Sequence, residues 1–349
     1  MRHRPSLLAV SAGLIAASLA RGAEIELLSV EKIWDQGRHN AFTDLLRWHD
    51  KWYCVFREAE AHVGGDGQIR VLESPDSKSW ASVALISEEG IDLRDPKLSV
   101  TPDDRLMIVA GGSVYKGTKN LIGRQPRVCF SRDARQWTPT QRILSEGEWL
   151  WRVTWHKGVA YGVSYNASTR HGKDAQDAAK SPQPAPPGPA DWKLSLFSSR
   201  DGVHYDLITH LDVPGQPNET TLRFLEGDEM IALVRREGGN TFGWIGSSKP
   251  PYTRWEWKET KHRLGGPNFI QVPDGSLWAV SRQYPGKTAL GRLTRDSYEP
   301  LLVLPSGGDT SYAGMVFHDG ILWVSYYSSH EGKSRIYLAK LRLPVTPPK

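Results

Sequence analysis

The chain of 349 residues has little cysteine: Cys54 and Cys129 are the only two. That excludes a disulfide framework and a cysteine-rich metal centre as the source of its stability. Each lies in an apolar run, Trp-Tyr-Cys-Val-Phe and Arg-Val-Cys-Phe-Ser, and reads as a small core side chain. Runs of like charge are also missing. The net charge of +5 is spread singly along the chain, so no nucleic-acid partner is expected. Apolar runs long enough to span a bilayer are absent as well. The one extended stretch, Leu7 to Leu19, follows Arg2, His3 and Arg4 and precedes Ala20 and Ala23. This is the pattern of a signal peptide over residues 1–23. A secreted or periplasmic protein is expected, with no membrane role beyond export.

Glycine (33), proline (23), tryptophan (14) and tyrosine (12) are plentiful, and they are arranged as a repeat. Tight polar turns recur between alternating apolar segments at Trp48–Lys51, Pro102–Arg105, Trp155–Gly158, Glu226–Asp228, Pro273–Gly275 and His318–Gly320. A second turn follows the first three. Ser74-Pro75-Asp76 with Trp80, Ser131-Arg132-Asp133 with Trp137 and Ser199-Arg200-Asp201 with Tyr205 share one spacing. A carboxylate two residues after a serine accepts backbone N–H groups and folds such a turn.

Six copies imply an all-β, six-bladed propeller over residues 24–343. The segment Glu24 to Trp34 is left over at the start and is expected to close the ring as the outer strand of the last blade. Residues 166–192, rich in Ala, Pro, Lys and Gln, read as a loop insertion, and 344–349 as a tail.

One rim of the expected disc gathers polar residues: Asp44, Arg57, Asp66, Asp95, Arg152, Glu219, Arg235, Arg236, Arg282, Asp309, Tyr312 and Tyr326. The other rim carries ordinary turn residues. Convergent strands bring such distant positions to one axial site. His39, His62 and His330 share the rim, but their spacing is not that of a metal site, and no metal or cofactor is expected.

The repeat and the rim together resemble the sialidase superfamily. The stretch Gly65-Asp66-Gly67-Gln68-Ile69-Arg70-Val71 is similar to the place of that family's general acid, which makes Asp66 the implied acid. Asn218-Glu219-Thr220-Thr221, followed by Arg235-Arg236, looks like the family's glutamate and second arginine. Arg282 is placed like the third arginine, and Thr310 to Met315 like the segment carrying the tyrosine nucleophile, here Tyr312. A tyrosine suits a substrate whose own carboxylate would repel a carboxylate nucleophile. The glutamate takes its proton, since phenol titrates near 10. An aspartic acid protonates the leaving oxygen. Arginines clamp the anion, with Arg57, Asp95, Arg152, Arg235, Arg236, Arg282 and Tyr326 as the expected substrate contacts.

One departure stands out. The family opens its first blade with Phe-Arg-Ile-Pro, whereas this chain has Asn40-Ala41-Phe42-Thr43-Asp44. The first clamp arginine is missing, and Arg57, Arg94 and Arg152 are the neighbours that could replace it. The resemblance therefore implies an exo-acting glycoside hydrolase, with a sugar other than sialic acid left open, acting on a glycan or glycoside. The alternative is a glycan-binding propeller without catalysis.

Overall fold

The computed structural model describes residues 24–117, 120–166 and 192–344. The expected signal peptide, nearly all of the loop insertion and the last five residues of the tail lie outside them. The N-terminal strand is β1 (Glu26–Trp34). The first blade holds β2 (His39–Trp48), β3 (Lys51–Ala59), β4 (Gln68–Ser74) and β5 (Ala81–Ile86). The second holds β6 (Asp92–Val100), β7 (Leu106–Lys116), β8 (Asn120–Ser131) and β9 (Gln141–Arg142). The third is β10 (Glu148–His156), β11 (Val159–Asn166), β12 (Lys193–Ser199) and β13 (Asp206–Leu211). The fourth is β14 (Pro217–Phe224), β15 (Met230–Arg236), β16 (Phe242–Ser248) and β17 (Glu256–Arg263). The fifth is β18 (Asn268–Gln271), β19 (Leu277–Gln283), β20 (Lys287–Leu293) and β21 (Tyr298–Leu304). The sixth combines β22 (Thr310–His318), β23 (Ile321–Ser328) and β24 (Arg335–Arg342) with β1, which pairs antiparallel to β24 from Glu26–Arg342 to Trp34–Ile336.

Strand position decides burial. In β3 six consecutive residues, Trp52 to Arg57, are buried, because blades press on both of its faces. The outer β5 and β13 are mostly exposed or half-buried. Each seam between neighbouring blades contains one apolar cluster. Val55, Ile69 and Val71 meet Leu98 and Ile108 between the first and second blades. At the closing seam Cys54 and Phe56 meet Ile336 and Leu338 of the sixth blade. Cys129 is likewise buried and unpaired. Each large apolar side chain enclosed this way contributes about 1.5–3 kcal/mol.

The three Ser-x-Asp turns share one geometry. Asp76 Oδ1 accepts N–H bonds from Lys78 (2.9 Å) and Ser79 (2.8 Å), and Asp133 and Asp201 do the same at 2.8 Å. The residue after each aspartate turns left-handed, with φ of 62° at Ser77, 63° at Ala134 and 79° at Gly202. Only the last has the glycine that such a φ favours.

The inner strands carry the feature that builds the site. In five of the six, two residues oppose a single residue of the next strand, which is a β-bulge. The bulged pairs are Phe42-Thr43, Asp95-Pro96, Trp151-Arg152, Asn218-Glu219 and Tyr312-Ala313. Phe42 (φ 64°), Asp95 (φ 50°) and Tyr312 (φ 55°) sit left-handed at the same place in their blades. Phenylalanine and tyrosine rarely adopt that conformation, and each costs on the order of 1–3 kcal/mol there. Bulges of this sort re-aim side chains beside active sites.

Candidate active site

Tyr312 and Glu219, thrown inward by their bulges, meet at the axis. The Tyr312 hydroxyl donates to Glu219 Oε1 at 2.6 Å. Arg235 Nη1 donates to the same oxygen at 2.7 Å and to the tyrosine oxygen at 2.9 Å. The other carboxylate oxygen, Oε2, accepts the Gly266 N–H at 2.7 Å. Phe42 and Trp151 hold the tyrosine ring edge-on, with centroids 5.0 and 5.5 Å away. Arg282 lies over the same ring at 5.5 Å.

Electrostatics divide the roles. Burial pushes the Glu219 carboxyl up, but the charge and hydrogen bonds of Arg235, Tyr312 and Gly266 outweigh it. The group stays below its ordinary range, ionised and ready to accept a proton. Burial and the Glu219 charge push the Tyr312 hydroxyl well above 10, against Arg235 and Arg282. Tyr312 therefore rests protonated.

The cations are already engaged. Arg235 also pairs with Glu237, and Arg282 donates to Thr310 O (2.7 Å), Tyr327 Oη (3.1 Å) and Asp309 Oδ1 (3.4 Å). Asp309 in turn accepts from Tyr327 at 2.7 Å and contacts His62 Nδ1 (2.7 Å) and His39 Nε2 (3.2 Å). Among the described residues, His39, His62 and Asp309 are the one group whose ligand-type atoms converge. Arg282 touches its carboxylate and Arg57 acts on its His39, so the surroundings oppose a dication.

No protein-family model and no curated protein matches the chain. Solved structures do. A Dyadobacter fermentans protein of unknown function superimposes with a TM-score of 0.76 at 16% identity, covering 92% of this chain and 99% of that one. An α-L-arabinofuranosidase of Fusarium graminearum, bound to an iminosugar inhibitor, gives 0.65 at 14% identity, with 91% and 98% covered. Trypanosoma rangeli sialidase bound to the inhibitor DANA gives 0.64 at 9%, with 87% of this chain and 55% of the sialidase covered. The chain has the six-bladed sialidase-type propeller fold. At these identities the likeness carries the fold alone.

Within this propeller the residues expected at the site separate into three groups. Glu219, Tyr312, Arg235 and Arg282 converge as described. Asp95 joins them: its charge acts on both Tyr312 and Glu219.

Four others are buried and bonded to the protein itself. Arg57 is wholly buried, bonded to Asp92 at 2.6 and 3.0 Å and to Ala61 O at 2.7 Å, and has no surface left for substrate. Arg152 is locked to the buried Asp44 at 2.8 Å. Arg236 points the other way from Arg235 and binds Pro214 O (2.6 Å) and Phe242 O (3.0 Å). Tyr326 is fully buried, with its hydroxyl on Pro305 O at 2.8 Å. Arg57 and Arg152 are thus both tied to buried carboxylates. Arg94 behaves similarly, donating to Asp92 (3.1 Å) and His62 O (2.8 Å).

Asp66 stands apart as well. It is exposed in the loop between β3 and β4, and its Oδ2 accepts the Gly90 N–H at 3.3 Å. None of its bonds among the described residues leads to Tyr312 or Glu219.

Sequence reasoning missed Tyr327, whose hydroxyl bridges Asp309 and Arg282, and Phe42, which occupies the first-blade bulge. It also missed Lys97, buried beneath the site with Nζ 4.7 Å from the Trp151 ring. Burial and the Arg152 charge lower its pKa to about 8.

Proposed function

We propose that this chain is an exported, exo-acting glycoside hydrolase in which Tyr312, deprotonated by Glu219, attacks the anomeric carbon of a terminal sugar. The observation that carries this reading is the Tyr312–Glu219 hydrogen bond of 2.6 Å, reinforced by Arg235. A buried phenol bonded to an ionised carboxylate places the hydroxyl proton on the group that can take it. Nucleophilic catalysis by tyrosine requires that pair. Glycosidases and a sialidase among the solved structures of the same fold support the reaction class.

The substrate is a sugar other than sialic acid. The segment Asn40 to Asp44, which opens the first blade, holds no arginine where the resemblance would place the first of the clamp. The two arginines beside Tyr312 are each shared with acidic partners, which lowers their capacity to hold a substrate carboxylate.

The exposed position of Asp66 favours a second reading, a glycan-binding propeller that has lost its acid. Hydrolysis of a panel of aryl glycosides separates the two. The panel includes a sialoside and an α-L-arabinofuranoside, and the enzymes are the purified chain and its Tyr312→Phe variant. Release that disappears in the variant supports the hydrolase. No release from any member, with measurable glycan binding, supports the binding module.

A further inference from the structure

We propose that Asp95, in place of Asp66, is the acid that protonates the leaving oxygen. This rests on the hydrolase reading above. The geometry begins with the bulges: Asp95 occupies in β6 the position that Tyr312 occupies in β22, with the same left-handed backbone. An aspartate tolerates that conformation better than most side chains. The strand is thereby bent at Asp95 and the carboxyl re-aimed.

The surroundings of the carboxyl fit a proton donor. Its Oδ1 is buried and has no hydrogen-bond partner among the described residues. An ionised oxygen enclosed without a donor costs far more than a protonated carboxyl or one meeting a ligand hydroxyl. The groups around it come from five other elements and its own. Arg94 and Lys97 flank it on β6, His62 lies on the β3–β4 loop, and Arg57 on β3 feels its charge. Glu219, Tyr312 and Tyr165 face it from β14, β22 and β11. Burial pushes its pKa up and the Glu219 charge adds to this, against the opposing pull of Arg94 and Lys97. A carboxyl of this kind beside one held ionised is the arrangement that separates acid from base.

The step balances as follows. Tyr312 Oη bonds to the anomeric carbon as its proton passes to Glu219. The glycosidic C–O bond breaks, its electron pair stays on the leaving oxygen, and that oxygen takes the Asp95 proton. Asp95, now ionised, removes a proton from water, whose oxygen displaces Tyr312 from the anomeric carbon. Tyr312 recovers its proton from Glu219.

The test compares Asp95→Asn and Asp66→Asn on two glycosides of the sugar the panel identifies. One carries a dinitrophenyl group, which departs without protonation; the other carries an alkyl group, which does not. In kcat/KM, which reports the step that expels the leaving group, Asp95→Asn is expected to lose about 100- to 10,000-fold on the alkyl glycoside, to lose less than about tenfold on the activated one, and to flatten the alkaline limb of the pH profile. Asp66→Asn is expected to stay within about threefold on both.

The reverse assignment of these signatures overturns the proposal, as does an equal loss on both substrates in Asp95→Asn. A wild-type chain that hydrolyses neither glycoside removes the hydrolase reading, and this proposal with it. Independently of turnover, carbon NMR of the labelled wild type is expected to show a carboxyl that titrates above the ordinary aspartate range and is missing in Asp95→Asn. A normal titration for that residue also overturns the proposal.

Discussion

The hydroxyl of Tyr312 and the carboxylate of Glu219, 93 residues apart, meet at 2.6 Å because bulges in two inner strands turn both side chains to the axis. One arginine, Arg235, binds both oxygens, so the pair is held as a unit.

Removing either half disables the unit. Tyr312→Phe and Glu219→Gln are each expected to lower kcat at least about a thousandfold, and the double variant to be little worse than the worse single. Additive losses, measured with the same glycoside, contradict a shared role.

Arg235 sets the pH at which Glu219 works. Glu219 must be ionised, so activity falls as pH drops through its pKa, which Arg235 helps to hold below the ordinary range. Arg235→Met is expected to move the acid limb of the profile to higher pH, apart from any fall in kcat. A limb that stays in place shows that Glu219 does not control it.

Much of this was readable in the sequence, and the unread part has one cause. Repeated turns such as Ser74-Pro75-Asp76 disclose the blades, and the resemblance of Asn218-Glu219 and Thr310 to Met315 to sialidase segments singles out the two residues that the fold brings together. Bulges leave no such trace. Each adds a residue and shifts the in–out alternation by one, so Tyr326 and Tyr327 cannot be told apart from their order. Tyr327 reaches the site and Tyr326 the blade interior. Alternation likewise sends Arg235 to the site and Arg236 away from it, and nothing in the order of residues marks Asp95 above Asp66.

Arg57 and Asp92 carry a prediction about stability. Both side chains are fully enclosed, so removing Arg57 leaves the buried Asp92 charge to Arg94 alone. Arg57→Met is expected to destabilise the fold by about 3–5 kcal/mol in denaturant titrations. A change below about 1 kcal/mol assigns the pair no structural weight.

Gly314 marks a close approach of the sixth blade to the first. A Cβ there comes within 2.0 Å of the Leu45 backbone nitrogen. Main chain cannot swing aside as a side-chain tip does, so Gly314→Ala is expected to cost about 3 kcal/mol or to prevent folding. A thermal midpoint unchanged from wild type contradicts that packing.

The Asp76 turn titrates in acid. Its backbone N–H bonds lower the folded pKa to about 2, against an unfolded value near 3.9. The stability it adds is present above the unfolded value and is lost as pH falls through the folded one. Thermal midpoints of wild type and Asp76→Asn should therefore differ at pH 5 and converge near pH 2. A constant gap rules out the carboxylate as its source.

The central claim is that Tyr312 forms the bond to the sugar. A fluorinated analogue of the identified glycoside slows release of the intermediate enough for peptide mass mapping. The account predicts a single glycosyl mass on the peptide containing Tyr312, absent in Tyr312→Phe. A label on Glu219 or Asp95, or turnover with no covalent species at all, contradicts it.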